Sequence, residues 1–140
     1  SGEPAHRAAV EQFIHHMQEL KAAPKAHVAY YREAWTSRHD NTVRVTIDRE
    51  TRIEVEPRAH LVTQMRDPHY VFGDNTVLEL KFTNRFPDWF RELVRIFGLM
   101  QCGAAKYVDG VNVLGEKSVR EGLDSSGLPI AHSMENAAVH

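Results

Sequence analysis

Two arginines on neighbouring strands are the first residues that could do chemistry. Segments 27–35 (HVAYYREAW) and 41–50 (NTVRVTIDRE) are typical of β-strands, and the turn-forming residues SRHDN lie between them. They predict an antiparallel hairpin, in which a register that pairs Arg32 with Arg44 centres the loop near Arg38. Like charges directly opposite each other destabilise a sheet, so two paired guanidinium groups favour an anion between them, and phosphate fits their geometry.

A more ordinary interpretation of the same arginines is a set of surface ion pairs. Carboxylates are close by in the sequence, at Glu33, Asp48 and Glu50. Exposed ion pairs are common and contribute little to stability. Periodicity alone therefore favours ion pairs over an anion site.

A glutamate and a lysine in VLELKF (77–82) form the second candidate. Alternation places Leu78, Leu80 and Phe82 on one face of a strand, with Glu79 and Lys81 on the other. A carboxylate beside a cation suits Mg²⁺ or Mn²⁺, which prefer oxygen ligands and often share them with phosphates. Taken alone, the triplet is more simply explained by a solvated face with a Glu–Lys ion pair.

The pair Lys106-Tyr107 in GAAKYVDG is the third candidate. A lysine between small residues and an aromatic can enter a site or remain at the surface, and nothing local decides between these. Other motifs are missing: the nine histidines have no metal-ligand spacing, and no P-loop, dinucleotide-binding or G-x-S-x-G motif occurs.

Helices must flank the strands that carry these residues. Segment 7–22 predicts an amphipathic helix that Pro24 ends, and a second helix begins at Pro87 and stops at Gly98. Segment 52–57 can extend the sheet, 66–75 predicts a loop, and 99–111 is irregular or partly helical. The order predicts an α+β domain with antiparallel strands over 1–114, followed by a polar, disordered tail over 115–140.

Composition excludes several classes of protein. Seventeen Lys+Arg against nineteen Asp+Glu give a formal charge of -2, so no global field attracts nucleic acid or a membrane surface. Cys102 is the single cysteine, which excludes an internal disulfide and a cysteine-based zinc site. No apolar run reaches the ~18 residues of a membrane span. We expect a cytoplasmic protein; the chain begins without Met, as a fragment or a processed product would.

Five motifs then occur in a characteristic order: YYREAW, VRVTIDR, VLELKF, FPDWFRELVRIFGL and AAKYVDGV. Over about residues 10–112 this series resembles the C-terminal half of the vacuolar transporter chaperone (VTC) domain, in its bacterial polyphosphate-polymerase-like form. The resemblance implies an α+β fold whose antiparallel sheet forms part of a triphosphate-tunnel-type barrel with flanking helices. The inner wall of such a barrel carries Arg, Lys and Glu.

The resemblance also implies roles for particular residues. Arg32, Arg44 and Lys81 fall on phosphate-binding positions, Glu79 falls on the glutamate that holds Mg²⁺ or Mn²⁺, and Lys106 falls on the expected catalytic lysine. The implied reaction transfers the terminal phosphate of ATP to polyphosphate and releases ADP. The implied partners are therefore ATP and polyphosphate, or another triphosphate. This agrees with the alternation, which places the two arginines, Glu79 and Lys81 opposite the apolar positions.

Two departures from the family pattern keep alternatives open. Ala105 stands where the family usually has Ser, and the N-terminal half of the domain, with its further basic strands, does not occur in this sequence. We therefore expect phosphotransferase activity only when that half is present. A triphosphatase, a non-catalytic module that binds polyphosphate or inositol phosphate, and a fragment that pairs through open strand edges are the alternatives.

Overall fold

A computed structural model describes residues 3–38, 42–60 and 62–130 of the chain. The described residues form helices and antiparallel strands, which confirms the predicted α+β class. In chain order the elements are α1 (Glu3–Glu19), β1 (Ala26–Thr36), β2 (Val43–Val55), β3 (His69–Tyr70), β4 (Val77–Phe82), α2 (Asp88–Ile96), α3 (Lys106–Leu114) and α4 (Glu116–Glu121).

The sheet is built around β2, its longest strand. β1 pairs with one edge of β2, whereas β4 and the short β3 pair with successive parts of the other edge. All pairings are antiparallel, and the extension of the sheet beyond residue 50 matches the expectation for segment 52–57. Within the described residues the sheet is open, because the outer edge of β1 has no partner strand. Closure into a barrel therefore stays a prediction.

The hairpin register differs from the predicted one. Arg32 pairs with Asp48, and Arg44 pairs with Thr36, so the prediction that Arg32 and Arg44 face each other is wrong. Both pairs are centred on position 40, which lies outside the described residues, and not on Arg38. The observed register replaces a repulsive cross-strand pair with an attractive one. Its shift of four positions is even, so both arginines still lie on the same face of the sheet.

A β-bulge divides β2 into two parts. The pairing with β1 is irregular between Ala29 and Tyr31, and Glu50 on β2 has a positive φ of 50°. An extra residue reverses the alternation of a strand. Thr46 and Asp48 are buried before the bulge, and Ile53 is buried after it on the same side of the sheet. This side is therefore polar along the first part of β2 and becomes apolar along the second.

Helix α3 packs on the sheet where this side changes from polar to apolar. Its Gly110 lies against Ile53, so closely that a Cβ added to the glycine would be 2.5 Å from the Ile53 Cδ1 atom. Both residues are buried. Close packing therefore fixes α3 on the sheet, and the helix begins at Lys106, beside the polar part of the face.

Helix α2 lies on the opposite side of the sheet. Its N-cap residue is Pro87, and Phe90 is fully buried in an aromatic cluster with Phe82 and Phe86, at centroid distances of 5.1 to 6.4 Å. The odd positions of β2 and the even positions of β4 face this side, because Val45 pairs with Leu80. The predicted division of β4 into an apolar face toward the helix and a polar face is thus observed.

The expectation of a disordered tail from residue 115 is wrong for its first part. Helix α4 follows Gly115 directly, Val119 on it is buried, and a bridge joins Leu123 to Pro129. Gly115 and Gly122 both have positive φ and bound the helix. A six-residue helix is too short for its periodicity to be read in the sequence. Residues 131–140 lie outside the described residues, and the domain boundary at 114 stays a prediction.

Helix α1 forms where the apolar periodicity predicts a helix, but its stripe faces solvent. Phe13 is 63% exposed and Leu20, just after the helix, is 77% exposed. Among the described residues, no helix combines the length and apolar character that crossing a membrane requires.

Candidate functional site

One face of the sheet collects the polar residues that the sequence singled out. The register places them in three cross-strand rows, which are Thr36–Arg44–Lys81, Ala34–Thr46–Glu79 and Arg32–Asp48–Val77. Lys106 reaches this face from the start of α3. Every predicted site residue therefore lies on one side of the sheet, which we call the cationic face.

Asp48 lies at one end of the cationic face, between Arg32 and Lys106. Its side chain is fully buried, and its Oδ1 and Oδ2 atoms accept hydrogen bonds from Arg32 Nε and Nη2 at 2.6 and 2.8 Å. Its Oδ2 atom also lies 2.7 Å from Lys106 Nζ. Arg32 and Lys106 keep 32% and 17% of their side chains exposed, so both cations remain accessible from solvent.

The pKa of Asp48 follows from these contacts. The hydrogen bonds from Arg32 lower the pKa of the Asp48 carboxyl, burial opposes this, and the Lys106 ammonium lowers the pKa further. In return, Asp48 raises the pKa of Arg32. Asp48 is consequently ionised at neutral pH, and the two cations share one negative charge.

The ring of Tyr30 lies beneath both cations, Arg32 and Lys106. The guanidinium carbon of Arg32 lies 4.9 Å from the centre of its ring, and Lys106 Nζ lies 5.1 Å from it. Cations over an aromatic face are attracted by the ring quadrupole. Tyr30, Arg32, Asp48 and Lys106 therefore form one packed unit, although they come from three elements.

Glu79 connects this unit to Lys81. Its Oε1 atom lies 3.1 Å from Lys81 Nζ, and its Oε2 atom lies 3.8 Å from Arg32 Nη2 and accepts a hydrogen bond from the Thr46 hydroxyl at 3.4 Å. The hydrogen bond from Lys81 lowers the pKa of Glu79, and burial opposes it. Glu79 is 38% exposed and can be reached by a ligand on this face.

Arg44 and Lys81 form the other end of the cationic face. They are direct cross-strand partners on β2 and β4. Like charges in this position repel. Arg44 makes no ion pair with any of the described residues. Arg44 and Lys81, rather than Arg32 and Arg44, are therefore the like-charged pair that favours an anion between its members.

A cavity of about 590 Å³ lies elsewhere, between the end of β2, α3, α4 and the segment after α4. Its buried carboxylates already have partners: Glu54 accepts hydrogen bonds from the Arg66 and Asp67 backbones, and Glu56 from Arg58. None of the predicted site residues lines this cavity.

A family model identifies the family to which the chain belongs. The family model of the VTC domain matches residues 2–115. The chain belongs to the VTC domain family. A comparison with curated proteins gave no significant match, and neither did a comparison with solved structures. The restriction of the resemblance to the C-terminal half of the domain stays a prediction.

Within this VTC domain, Glu79 could hold a divalent cation only together with oxygen atoms that the ligand or water supplies. No group of three or more His, Cys, Asp or Glu side chains in the described ranges could hold a metal ion. Mg²⁺ is commonly bound through one or two carboxylates, with waters and substrate phosphates completing its shell. Glu79 beside the Thr46 hydroxyl suits that form of binding, in which the ligand brings most of the oxygen atoms.

Sequence reasoning missed Asp48 and Tyr30 as members of the site. The sequence suggests Asp48 only as a surface ion-pair partner, whereas it is buried between two cations. Cross-strand charge matching would have found it, since the register that pairs Arg32 with Asp48 is the one that joins opposite charges. Tyr30 had a weaker signal, its position two residues before Arg32 on the same strand face.

Proposed function

We propose that the cationic face binds the phosphate chain of polyphosphate or ATP, and that the protein transfers the terminal phosphate of ATP to polyphosphate. The observation that carries this proposal is the convergence of Arg32, Arg44, Lys81 and Lys106 with Glu79 on one face of the sheet. Membership of the VTC domain family supports the same ligand class.

The charge of the face supports an anionic ligand. Four cations stand against two carboxylates, Asp48 and Glu79, whereas the whole chain has a formal charge of -2. Arginine and lysine donors suit phosphate oxygens, arginine as a planar fork and lysine as a point charge. A linear chain of phosphates can run along the strands and contact several of these cations at once.

The proposed reaction needs positioning and charge neutralisation more than covalent chemistry. A terminal oxygen of polyphosphate attacks the γ-phosphorus of ATP, the bond from that phosphorus to the β–γ bridging oxygen breaks, and ADP leaves with the electron pair. Lys106 and Arg32 lie close together and offer N–H donors to the oxygens of the transferred group. Lys81 and Arg44 hold the chain further along the face.

Glu79 is the residue that would hold Mg²⁺ or Mn²⁺ together with phosphate oxygens. The cation would neutralise charge on the phosphates. Glu79 is ionised at neutral pH, because Lys81 lowers its pKa. Its contacts with Lys81 and Arg32 orient the carboxylate toward the same face as the cations.

A second candidate function is binding without catalysis, of polyphosphate or inositol phosphate. The observation that favours it is Ala105, which is the N-cap residue of α3 and makes no side-chain cap hydrogen bond. A serine there would supply a hydroxyl beside Lys106. Without that group, the face keeps its cations but has one polar donor fewer near the proposed transfer site.

The test uses the complete product of the gene, incubated with ATP and Mn²⁺ and then analysed for polyphosphate and orthophosphate. Arg49 pairs with Tyr31 and lies on the opposite face of the sheet, so it supplies the control. Mn²⁺-dependent polyphosphate that disappears with Lys106→Ala, but not with Arg49→Gln, supports the polymerase. Orthophosphate alone would indicate a triphosphatase. No turnover combined with tight polyphosphate binding would indicate the binding module.

A further inference from the structure

Asp48 is a carboxylate between two cations, Arg32 and Lys106, of the surface that we propose to bind phosphate. A buried negative charge lowers the attraction of its neighbours for an anion. Its side chain is nevertheless fully buried and ionised at neutral pH. A role other than direct ligand binding would account for its position.

Asp48 joins two side chains that would otherwise be independent. Arg32 comes from β1 and Lys106 from the start of α3, and both are long side chains with many rotamers. The Asp48 carboxylate accepts two hydrogen bonds from Arg32, one at each oxygen, and its Oδ2 atom also binds Lys106. Their relative position is therefore set by one buried group.

The contacts with Asp48 leave donors free for a ligand. A guanidinium has five N–H donors and an ammonium has three. Asp48 takes the Nε donor and one Nη2 donor of Arg32, and one donor of Lys106. The Arg32 guanidinium carbon and the Lys106 Nζ atom both lie over the ring of Tyr30. Both side chains keep part of their surface exposed to solvent, where a ligand can reach them.

We propose that Asp48 is a positioning residue, which holds Arg32 and Lys106 over Tyr30 so that their free donors converge on one phosphate group of the ligand. The choice of ligand rests on the proposed function, whereas the positioning of Lys106 does not. Asp48 itself does not contact the phosphate.

A purely electrostatic role and a positioning role of Asp48 predict opposite effects of Asp48→Asn on the affinity for a polyanion. The substitution keeps the shape of the side chain and removes one negative charge. If Asp48 were only a nearby charge, the variant would bind a polyanion more tightly. If Asp48 positions two cations, the variant binds more weakly although its net charge is more positive.

The first measurement is calorimetric titration of the 140-residue chain with tripolyphosphate. We expect Asp48→Asn to bind about tenfold more weakly, the effect of losing about one charge-assisted hydrogen bond. Asp88→Asn, which removes an exposed carboxylate from α2, is the control and should bind no more weakly than the wild type. Equal or tighter binding by Asp48→Asn would overturn the proposal.

The second measurement needs no ligand. The Nζ atom of Lys106 lies 5.1 Å from the centre of the Tyr30 ring, so the NMR signals of the adjacent Cε protons should be displaced by the ring current relative to those of exposed Lys117. Tyr30→Leu identifies the displaced signals. We expect Asp48→Asn to move them to the Lys117 position, and signals that stay displaced would contradict the positioning role.

Asp48→Glu covers the case in which Asp48→Asn does not fold. It keeps the charge and moves the carboxylate by one methylene, so we expect displaced Lys106 signals that differ from those of the wild type, and weaker binding of tripolyphosphate. Unchanged signals and affinity would overturn the proposal. If the wild-type chain itself does not bind tripolyphosphate, the proposed function fails, and the NMR comparison still decides the role of Asp48.

Discussion

Arg44 and Lys81 are direct cross-strand partners on β2 and β4, two cations side by side in a sheet that offers Arg44 no carboxylate among the described residues. Lys81 is paired with Glu79, whereas Arg44 is not paired with it. The arrangement costs folding free energy through repulsion. A phosphate between the two side chains would turn this repulsion into attraction.

Stability should therefore rise when Arg44 loses its charge. We expect Arg44→Gln to increase the free energy of unfolding by about 0.2–0.5 kcal/mol, because a like-charge cross-strand pair is removed. Urea denaturation at low salt measures the change. Arg49→Gln removes a cation that is paired with Glu33 on the opposite face, and it should not stabilise the chain. A loss of stability with Arg44→Gln would show that Arg44 has a stabilising partner.

Asp48 should make stability depend on pH in the acidic range. Its folded pKa lies below the ordinary value of 3.8, so its contribution is fully present above that value and is lost as the pH falls through the folded pKa. At pH 7 we expect Asp48→Asn to lower the free energy of unfolding by about 2–3 kcal/mol, slightly less than for a fully buried pair because Arg32 is partly exposed.

The difference between the wild type and Asp48→Asn should shrink once the pH falls below 3.8. Thermal melts from pH 7 to pH 3 measure it. Asp88, an exposed carboxylate, provides the matched control, and Asp88→Asn should change stability by no more than about 0.5 kcal/mol. A constant difference across the range would show that the charge of Asp48 is not what stabilises the fold.

Gly110 should be sensitive to a single added methyl group. Gly110→Ala places a Cβ 2.5 Å from Ile53 Cδ1, an overlap that costs about 1–3 kcal/mol in a packed core. Better helix propensity offsets about 1 kcal/mol of this. We expect a net loss of about 1 kcal/mol in chemical denaturation, together with weaker binding of tripolyphosphate, because α3 carries Lys106.

Ile53→Val removes the Cδ1 atom that meets the new methyl group. The double variant Gly110→Ala, Ile53→Val should therefore lose less stability than the sum of the single variants. Gly103→Ala is the control, since a Cβ there meets nothing within 4 Å. Strict additivity of Gly110→Ala and Ile53→Val would be evidence against this contact.

Ala105 should gain from a hydroxyl group. Serine is a strong N-cap residue and alanine a poor one, so Ala105→Ser should stabilise α3 by about 0.5–1 kcal/mol. We also expect tighter binding of tripolyphosphate, because α3 then holds Lys106 more firmly. Ala104→Ser, one residue before the cap, should do neither. An Ala105→Ser variant with wild-type stability would show that position 105 does not act as a cap.

Glu79 should determine the effect of divalent cations. We expect Mn²⁺ to tighten binding of tripolyphosphate to the wild type and to have little effect on Glu79→Gln, since the carboxylate that shares the cation is gone. Without Mn²⁺, Glu79→Gln should bind tripolyphosphate slightly more tightly, because a competing anion no longer pairs with Lys81. Equal Mn²⁺ dependence in both proteins would contradict the metal-binding role.

The face of each site residue could be predicted from the sequence, but the partner of each residue could not. Alternation has a period of two, so it assigned Arg32, Arg44, Glu79 and Lys81 to the correct side of the sheet even though the register was wrong by four positions. Register depends on the length of the hairpin loop, which the turn-forming residues do not define closely.

The burial of Asp48 could not be predicted from its own strand. It depends on Lys106, which arrives from a helix much further along the chain, and on the packing of Gly110 against Ile53 that fixes this helix. A glycine inside a nine-residue helix weakens the local helical signal. The same residue that makes α3 hard to predict allows its close approach to the sheet.

Binding of tripolyphosphate to the 140-residue chain measures whether the cationic face is a phosphate site. Isothermal titration should show that Arg44→Gln combined with Lys81→Gln weakens binding by at least about tenfold, since two charge-assisted contacts are lost. Arg49→Gln combined with Arg95→Gln removes the same charge from the opposite face and from α2, and it should change the affinity less than about threefold, because these cations are exposed and screened. Equal weakening by the two double variants, or no binding by the wild type, would contradict the account.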